Sequence, residues 1–317
     1  MRDRPRPDVL SALLRRVRIT TSAFGRIELG APWGFRIGPR DTVVLHHVLD
    51  GEMWLGLDGR ESRIGPGDLV ILAHGTPHTL RHRPGAPVAD ETPPAPDGLS
   101  VRRRYGGDGA VTVVLCAESV VTGAGRALLL RALPPVVHAP AAGEPVPGLG
   151  RLLALLREEV RAGRRGAPLI AARLAELLLL NGVRGELERP SPAGSWRAGL
   201  ADDRVARALD ALYDAPERPW SLVTLARAAG MSRSAFAHRF RELVGESPFA
   251  HLTRWRMELA KEMLREDPGL TLGEIASAVG YGGEFAFGAA FRRVVGTPPG
   301  VYRATASGHR REDTPGL

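Results

Sequence analysis

The 317-residue sequence contains one cysteine and no long apolar run. Because Cys116 has no second cysteine to pair with, an intramolecular disulfide is excluded, as is usual for proteins of a reducing compartment. No apolar run approaches the roughly 18 residues that a membrane span requires. Residues 1–21 also lack the combination of a basic segment and a following apolar segment that marks a secretory signal. These absences predict a cytoplasmic protein without a membrane partner.

Lysine is almost absent as well, since only Lys261 among the 43 basic residues is a lysine, which indicates GC-rich and therefore bacterial coding. The formal net charge of +8 would suit a polyanionic partner. From Trp196 onward, however, 17 basic residues stand against 15 acidic ones, so little of the excess charge lies there. Charge alone therefore does not locate a nucleic-acid site.

The region from Trp220 to Tyr302 contains one helical pattern twice. In each copy, apolar residues at helical spacing mark a short helix, a glycine ends it, and a second apolar stripe marks another helix. The first copy consists of Leu222, Leu225, Ala226, Ala229, Gly230, Phe236, Phe240, Leu243 and Val244. The second copy consists of Leu272, Ile275, Ala276, Val279, Gly280, Phe287, Phe291, Val294 and Val295.

A helix, a glycine-bearing turn and a second helix form the arrangement that places a recognition helix in a DNA major groove. Four ordinary helices of a bundle would show the same apolar stripes, so one copy would not distinguish the two structures. Two copies that start 50 residues apart, at Leu222 and Leu272, and are bridged by the amphipathic run 248–265 favour DNA binding.

The segments "WSLVTLARAAGMSRSAFAHRFRELVGESPFAHLTRWRMELAKEML" and "LTLGEIASAVGYGGEFAFGAAFRRVVGTPPGVYR" closely resemble the DNA-binding domain of AraC-type transcription regulators. The resemblance implies that a long central helix holds two helix-turn-helix units. Both recognition helices would then enter successive major grooves on one face of the DNA, roughly 34 Å apart.

Several residues of this region lie off the apolar stripes and are candidates for DNA contact. In the first recognition helix, for which Ser232 is the expected N-cap, they are Arg233, Ser234, Ala235, Ala237, His238, Arg239 and Arg241. Arg254 of the bridging helix is expected to contact a phosphate. In the second recognition helix the candidates are Glu284, Arg292 and Arg293.

The two recognition helices are predicted to contribute unequally. By the resemblance, His238 and Ala289 stand where the family usually has a base-reading arginine, and Gly283 stands where it usually has a capping side chain. Histidine can still donate a hydrogen bond, whereas alanine offers no polar contact to a base. Gly288 would also weaken the second helix. The first helix is therefore expected to supply most of the base readout.

The N-terminal half is predicted to be β. Short apolar or alternating runs lie at 41–49, 53–57, 61–64, 69–72 and 111–116, and Asp-Gly pairs between them are strong hairpin signals. Such spacing is typical of an antiparallel sandwich or barrel. Residues 84–109, rich in proline and glycine, are expected to form a mobile loop.

The segments "HHVLDGEMWLGLDG" and "PGDLVILAHGTPHTL" resemble the two motifs of a cupin, the small barrel that often precedes an AraC-type DNA-binding domain. The resemblance implies small-molecule or metal ligands from these motifs, and His47, Glu52, His74 and His78 are the candidates. Of these, His47, Glu52 and His78 match a metal-binding set, which would suit Zn, Fe or Ni. Because His46 and His47 are adjacent, they should point to opposite faces of a strand. The preferred interpretation is a polar-lined small-molecule pocket without metal or other cofactor.

Cys116 and His138 also match positions of regulators with this kind of cupin. A cysteine that ends a β-branched run is usually a buried small hydrophobe. Redox sensing would require a low thiol pKa and access to solvent. No basic residue adjoins Cys116 in the sequence, so the buried interpretation is preferred.

The fold predicted from these segments is a multidomain α+β protein. Residues 1–148 would form the cupin-like sensor and 149–188 a helical hairpin, which either packs on the barrel or, as in related regulators, forms a dimer. Residues 189–199 would be a linker, 200–306 the all-α DNA-binding domain and 307–317 a disordered tail.

The predicted function is sequence-specific transcription regulation without enzymatic activity, controlled by an unknown small effector. A homodimer would bind a double-stranded operator and, if an activator, RNA polymerase. The alternative is a cupin-type metal-dependent enzyme with an accessory helical domain.

Overall fold

The computed structural model describes residues 8–89, 99–141 and 146–312, which form two compact units. The β unit consists of Arg18–Val121 and Leu133–Arg189. The described residues of Met1–Val17, Thr122–Ala132 and Pro190–Leu317 form the helical unit. This grouping includes two segments of the predicted sensor region, within Met1–Val17 and Thr122–Ala132, in the helical unit, and the boundaries 1–148 and 200–306 stay predictions.

Ten strands lie in the described part of the β unit. They are β1 (Arg18–Gly30), β2 (Gly34–Ile37), β3 (Val43–Asp50), β4 (Met53–Leu57), β5 (Arg60–Ile64), β6 (Leu69–Leu72), β7 (His78–Arg81), β8 (Leu99–Gly106), β9 (Val111–Thr122) and β10 (Val136–Ala139). They form a six-stranded sheet in the order β10-β6-β3-β9-β1-β8 and a four-stranded sheet in the order β2-β7-β4-β5.

The apolar core of the β unit lies between the two sheets. Val44 and Val48 of β3 face Met53 and Leu55 of β4 in one buried cluster. The opposite side of the six-stranded sheet is also covered, because the helical hairpin α3 (Leu149–Ala162) and α4 (Ala167–Glu188) packs on it. Residues on both faces of β3 are therefore buried, which explains why Val43–Val48 form a continuous buried run.

The helical unit contains ten helices in the part of the chain that the structure describes. They are α1 (Val9–Leu14), α2 (Arg126–Ala132), α5 (Trp196–Ala201), α6 (Asp203–Asp214), α7 (Leu222–Ala229), α8 (Arg233–Val244), α9 (Pro248–Glu266), α10 (Leu272–Ala278), α11 (Glu284–Val295) and α12 (Pro299–Glu312). The long helix α9 contacts α8 of the first pair of helices, α10 and α11 of the second, and α12. None of the described helices is both long enough and apolar enough to cross a bilayer.

Two predictions of irregular structure are corrected. The arginine-rich run 99–106, predicted to be loop, forms β8, which pairs with β1 in parallel from Phe24 and Leu99 to Gly30 and Gly106. Residues 90–98 of the predicted loop lie outside the described residues. The predicted tail at 307–317 begins inside α12, which continues to Glu312, and residues 313–317 are also outside the described part.

Candidate nucleic-acid interface and sensor cavity

The first helix-turn-helix unit consists of α7 and α8. Ser221 caps α7 in a reciprocal capping box with Thr224, and Gly230 ends the helix in the left-handed conformation, with φ of 67°. The hydroxyl of Ser232 then accepts a hydrogen bond from the Ala235 amide at 3.3 Å, so the predicted N-cap of α8 is confirmed. Phe236 and Phe240 lie completely buried beneath α8.

The outer side of α8 carries most of the predicted DNA-contact residues. Arg233, Ser234, Ala235, His238 and Arg241 are exposed, whereas Ala237 and Arg239 are only partly exposed. The α8 helix begins at a serine N-cap and exposes two arginines and a histidine. These side chains are suited to contact phosphates and base edges.

Two predicted DNA-contact arginines have carboxylate partners within the helical unit. Arg239 pairs with Asp202, with Nη2 at 3.0 Å from Oδ2, and with Glu242 at 3.1 Å. Arg254 pairs with Glu246 through both terminal nitrogens. Asp202 is itself the N-cap of α6. The Arg239 guanidinium thus connects α8 to the start of α6, and the Arg254 guanidinium connects α9 to the turn before it, roles that their sequence positions did not indicate.

The second helix-turn-helix unit, α10 and α11, has the same plan with a weaker start to its recognition helix. Thr271 and Glu274 form a capping box on α10. Gly280 in the turn has φ of 79°, and a Cβ there would lie 2.5 Å from the Glu217 carbonyl oxygen, so the position excludes other residues. Gly283 precedes α11 without a side-chain cap, as the sequence predicted.

The exposed residues of α11 include Glu284, Phe285, Ala289, Arg292 and Arg293. Phe285 is 92% exposed and was not among the predicted contact residues. The signal that could have found it is its position, since it is a large aromatic residue that lies off the apolar stripe of Phe287 and Phe291.

A buried chain of hydrogen bonds connects α9 to α5 and α6. The indole nitrogen of Trp196 donates to the Tyr213 hydroxyl at 2.8 Å, and that hydroxyl donates to His251 Nε2 at 2.7 Å. His251 Nδ1 then donates to Glu246 at 2.7 Å. Burial lowers the pKa of His251, so its ring is neutral and can both accept and donate. This chain orients the helix that carries the two helix-turn-helix units.

In the β unit, His46 and His47 lie on opposite faces of β3, as their adjacency predicts. His46 points between the two sheets, directly opposite Cys116 in the β3–β9 register. Its Nδ1 lies 3.2 Å from Cys116 Sγ, and its Nε2 lies 3.3 Å from His78 Nε2. The chain ends at the Thr76 carbonyl, which lies 2.8 Å from His78 Nδ1.

The Thr76 carbonyl determines which atoms donate in the hydrogen bonds that join Cys116, His46 and His78. Since the Thr76 carbonyl can only accept, His78 donates from Nδ1 and accepts at Nε2, His46 donates from Nε2, and the Cys116 thiol donates to His46. Burial lowers the pKa of His46 to about 3 and raises that of Cys116 to about 12. The arrangement therefore holds two neutral imidazoles and a protonated thiol on a partly buried cysteine, and a protonated thiol is a poor redox nucleophile.

The predicted metal set His47, Glu52 and His78 is not brought together. His78 lies between the sheets with His46, whereas His47 is on the outer face of β3 and Glu52 pairs with Arg63 at 2.7 Å near the surface. The exposed His74 lies 3.1 Å from the Leu133 carbonyl. Within the described ranges, no group of three or more His, Cys, Asp or Glu side chains has the geometry to hold a metal ion. His138, which the cupin resemblance also singled out, contacts Asp68 at 3.1 Å.

His47 lines a cavity of about 340 Å³ between the outer face of the sheet and α3. Its walls are mostly apolar, with Leu49, Leu149 and Leu153, and Arg157 supplies the one cationic side chain of the lining. His47 Nδ1 donates to the Asp68 carbonyl at 3.0 Å, and Nε2 has no hydrogen-bond partner among the described residues. Burial lowers the pKa of His47, and Arg157 adds to that effect, so Nε2 is an unused acceptor.

His78 lines a different and larger cleft, of about 600 Å³, along the four-stranded sheet. Arg36, Arg81 and Glu61 belong to its polar lining, and Arg81 pairs with Glu61. The four predicted ligand residues therefore do not share one site. Glu52 and His74 lie near the surface, His47 lines the smaller cavity, and His78 contacts His46 and lines the larger cleft.

Comparison with known proteins agrees with both halves of this description. A cupin family model matches residues 8–188, and a helix-turn-helix domain model matches residues 225–305. A putative AraC-like transcription regulator from Streptomyces lividans is 37% identical over 94% of this chain and 97% of its own length. A second, from Streptomyces antibioticus, is 35% identical over 94% and 98% of the two chains.

Among solved structures, the DNA-binding domain of AdpA, crystallised with a target DNA, is 30% identical to the matching part of this chain. That match covers 34% of this chain and 96% of the AdpA domain, with a TM-score of 0.32. With two full-length relatives above 30% identity and a cupin model over more than half of the sequence, this chain belongs to the AraC-type family of DNA-binding transcription regulators and carries a cupin domain before its helix-turn-helix domain.

Proposed function

We propose that this regulator reads its operator mainly through α8 and that a small effector bound to the β unit controls it without catalysis. The observation that supports unequal reading is the contrast between two exposed helix faces. The α8 face presents Arg233, His238 and Arg241 after a serine cap, whereas the α11 face begins at the uncapped Gly283. A protein acting on chromosomal DNA in this way would be located in the cytoplasm.

Operator binding tests the first part of the proposal. We expect a Kd of about 10⁻⁸ to 10⁻¹¹ M at physiological salt for the specific site. Fluorescence anisotropy with the upstream region of the protein's own gene, competed by random DNA, measures it. Equal affinity for both DNAs would contradict sequence-specific regulation.

A saturation scan of that operator tests the inequality. One strongly preferred half-site is expected, with a more permissive one about one helical turn away. Arg233→Ala or His238→Ala should relax preference in the strong half-site. Arg292→Ala should weaken all sequences alike and reduce the salt dependence, because it removes a phosphate contact. Two half-sites of equal information content would contradict the proposed asymmetry.

The cavity at His47 is our proposed effector site within the β unit. Its arginine and its apolar walls suit a small molecule that has an apolar body and a negative charge. Because Leu149, Leu153 and Arg157 all belong to α3, an occupant would contact the hairpin as well as the barrel. Among the residues predicted to bind the effector, His47 is retained as a direct contact.

A fragment library screened by ligand-observed NMR tests this site. Fragments that bind the wild type should be lost with Leu153→Trp, which fills the cavity, and weakened with Arg157→Ala. Arg161→Ala, an exposed change later in the same helix, is the matched control. Binding that survives Leu153→Trp would place the effector elsewhere, with the cleft at His78 as the next site to examine.

The helical hairpin supports a homodimer. Four large apolar side chains of α3 and α4 are exposed, namely Leu155, Leu169, Ile170 and Leu177. Ile170 and Leu177 lie two turns apart and therefore on one face of α4. Exposed apolar residues grouped on one hairpin are typical of a protein interface. If the regulator is an activator, RNA polymerase would be a further partner.

Sedimentation equilibrium measures the oligomeric state. Ile170→Glu combined with Leu177→Glu should convert a dimer into a monomer, whereas Val301→Glu, at another exposed apolar residue, in α12, should not. A wild-type protein that remains monomeric at micromolar concentration would contradict the dimer.

The non-enzymatic assignment is supported by His46, whose two ring nitrogens are both occupied inside the barrel. With His47 and Glu52 elsewhere, the histidines and carboxylate of a cupin metal centre are not assembled. Metal analysis of the purified protein should therefore find little bound Zn, Fe or Ni. A full complement that is lost with His78→Ala would revive the cupin-enzyme alternative.

A further inference from the structure

Phe285 is the most exposed large apolar side chain in the described part of the chain. It is 92% exposed, and the next in rank, Leu169, is 56% exposed. Single apolar residues at a protein surface are common, but they usually keep part of their area covered. An almost fully solvated phenylalanine leaves a large apolar surface for a partner to cover.

Phe285 lies at the start of the second recognition helix. It is the second residue of α11, two positions after the N-cap Gly283. Ser234 has the same position in α8, two residues after the N-cap Ser232. In helix-turn-helix proteins, the first residues of the recognition helix contact base edges in the major groove.

The surroundings of Phe285 favour an apolar contact at that position. Ala289, one turn later on the same face, ends at a methyl group and is exposed. Gly288 has no side chain, and a Cβ built there would meet nothing within 4 Å. Without a longer side chain beside the ring, the helix can approach the DNA closely. Arg292 and Arg293 lie further along and can reach the phosphates.

The major groove offers one apolar group to such a ring, the 5-methyl group of thymine. We propose that Phe285 contacts a thymine methyl in the second half-site and that α11 thereby selects thymine by shape rather than by hydrogen bonds. This inference rests on the DNA-binding function of the family. It refines the unequal reading proposed above, since the second half-site keeps a preference for thymine at one or two positions.

The test uses full-length protein and an operator enriched from random DNA. Each thymine of the second half-site is replaced in turn by deoxyuridine, which removes only the methyl group. Loss of one covered methyl should weaken wild-type binding about fourfold at one or two positions. Phe285→Ala should bind the thymine and deoxyuridine operators equally. Because the side chain is solvated, this variant should retain the wild-type thermal midpoint.

One control variant and four contrary outcomes accompany this measurement. Phe249→Ala, at a partly exposed phenylalanine of α9, should respond to deoxyuridine as the wild type does. Equal wild-type affinity for thymine and deoxyuridine throughout the half-site would overturn the inference, as would an unchanged response in Phe285→Ala. Loss of transcription in Phe285→Ala without any change in operator binding would instead assign the ring to a protein contact. Failure to enrich any operator would refute the specific DNA binding on which the inference rests.

Discussion

Replacing Tyr213 by phenylalanine would remove one oxygen atom from the middle of the buried chain that orients α9. The Tyr213 hydroxyl accepts from the Trp196 indole at 2.8 Å and donates to His251 at 2.7 Å. Both neighbours are buried within the helical unit, so neither can turn to bulk water. The ring itself would remain, with its contact to Trp255 at a centroid distance of 4.8 Å.

The cost follows from the groups left without partners. An unsatisfied buried donor or acceptor costs about 1–3 kcal/mol, and this change leaves one of each. The apolar contacts are preserved, which makes the packing contribution to the change small. The unfolding free energy of the helical unit should therefore fall by about 2–6 kcal/mol, which is large for the removal of one atom.

Urea denaturation followed by circular dichroism at 222 nm measures this cost, with Tyr302→Phe as the matched control. Tyr302 is half-buried and its ring contacts Phe291, so the same chemical change is made where the hydroxyl is not part of the chain. Operator affinity should change little at low temperature, where the variant is folded. A loss of under about 1 kcal/mol, or one no larger than that of the control, would refute the proposed role of the chain.

Three further predictions follow from the contacts. Arg239→Ala should lower the thermal midpoint by removing the ion pair with Asp202, and the dependence of DNA affinity on salt concentration should not change. Arg241→Ala should instead reduce the slope of log affinity against log salt concentration by about 1. The reverse result would contradict the different roles of the two arginines. Gly288→Ala should raise the unfolding free energy by about 0.5–1 kcal/mol in urea denaturation, because the added methyl meets open space in a helix, and a lowered midpoint would reveal an unseen clash. The pKa of His46, lowered by burial from 6.5 to about 3, means that the unfolded chain alone takes up this proton below pH 6.5. As the pH decreases below 6.5, this group should lower the free energy of unfolding by about 1.4 kcal/mol per pH unit. The thermal midpoint of His46→Gln should therefore decline less than that of the wild type between pH 6.5 and 5.

The helix-turn-helix units could be predicted from the sequence because their signals are local. The stripes that include Phe236 and Phe287 repeat at helical spacing, and Gly230 and Gly280 mark the turns in which left-handed backbone is needed. Such patterns depend on residues within one or two turns of each other, so no knowledge of the rest of the chain is required. The adjacent histidines of β3 are a similar case, since strand alternation alone places them on opposite faces.

The roles of single polar residues depended on partners far away in the sequence. The pairing of His46 with Cys116 follows from the β3–β9 register, which joins residues 70 positions apart. Arg239 is held by a carboxylate 37 residues away. Strand β8 was missed for a related reason, because its arginine-rich sequence becomes a strand only through parallel pairing with β1. The sequence by itself determined the repeated helices and the family. Tertiary contacts decided which histidines meet and which arginines pair with carboxylates, because only the folded chain brings those groups within hydrogen-bond distance.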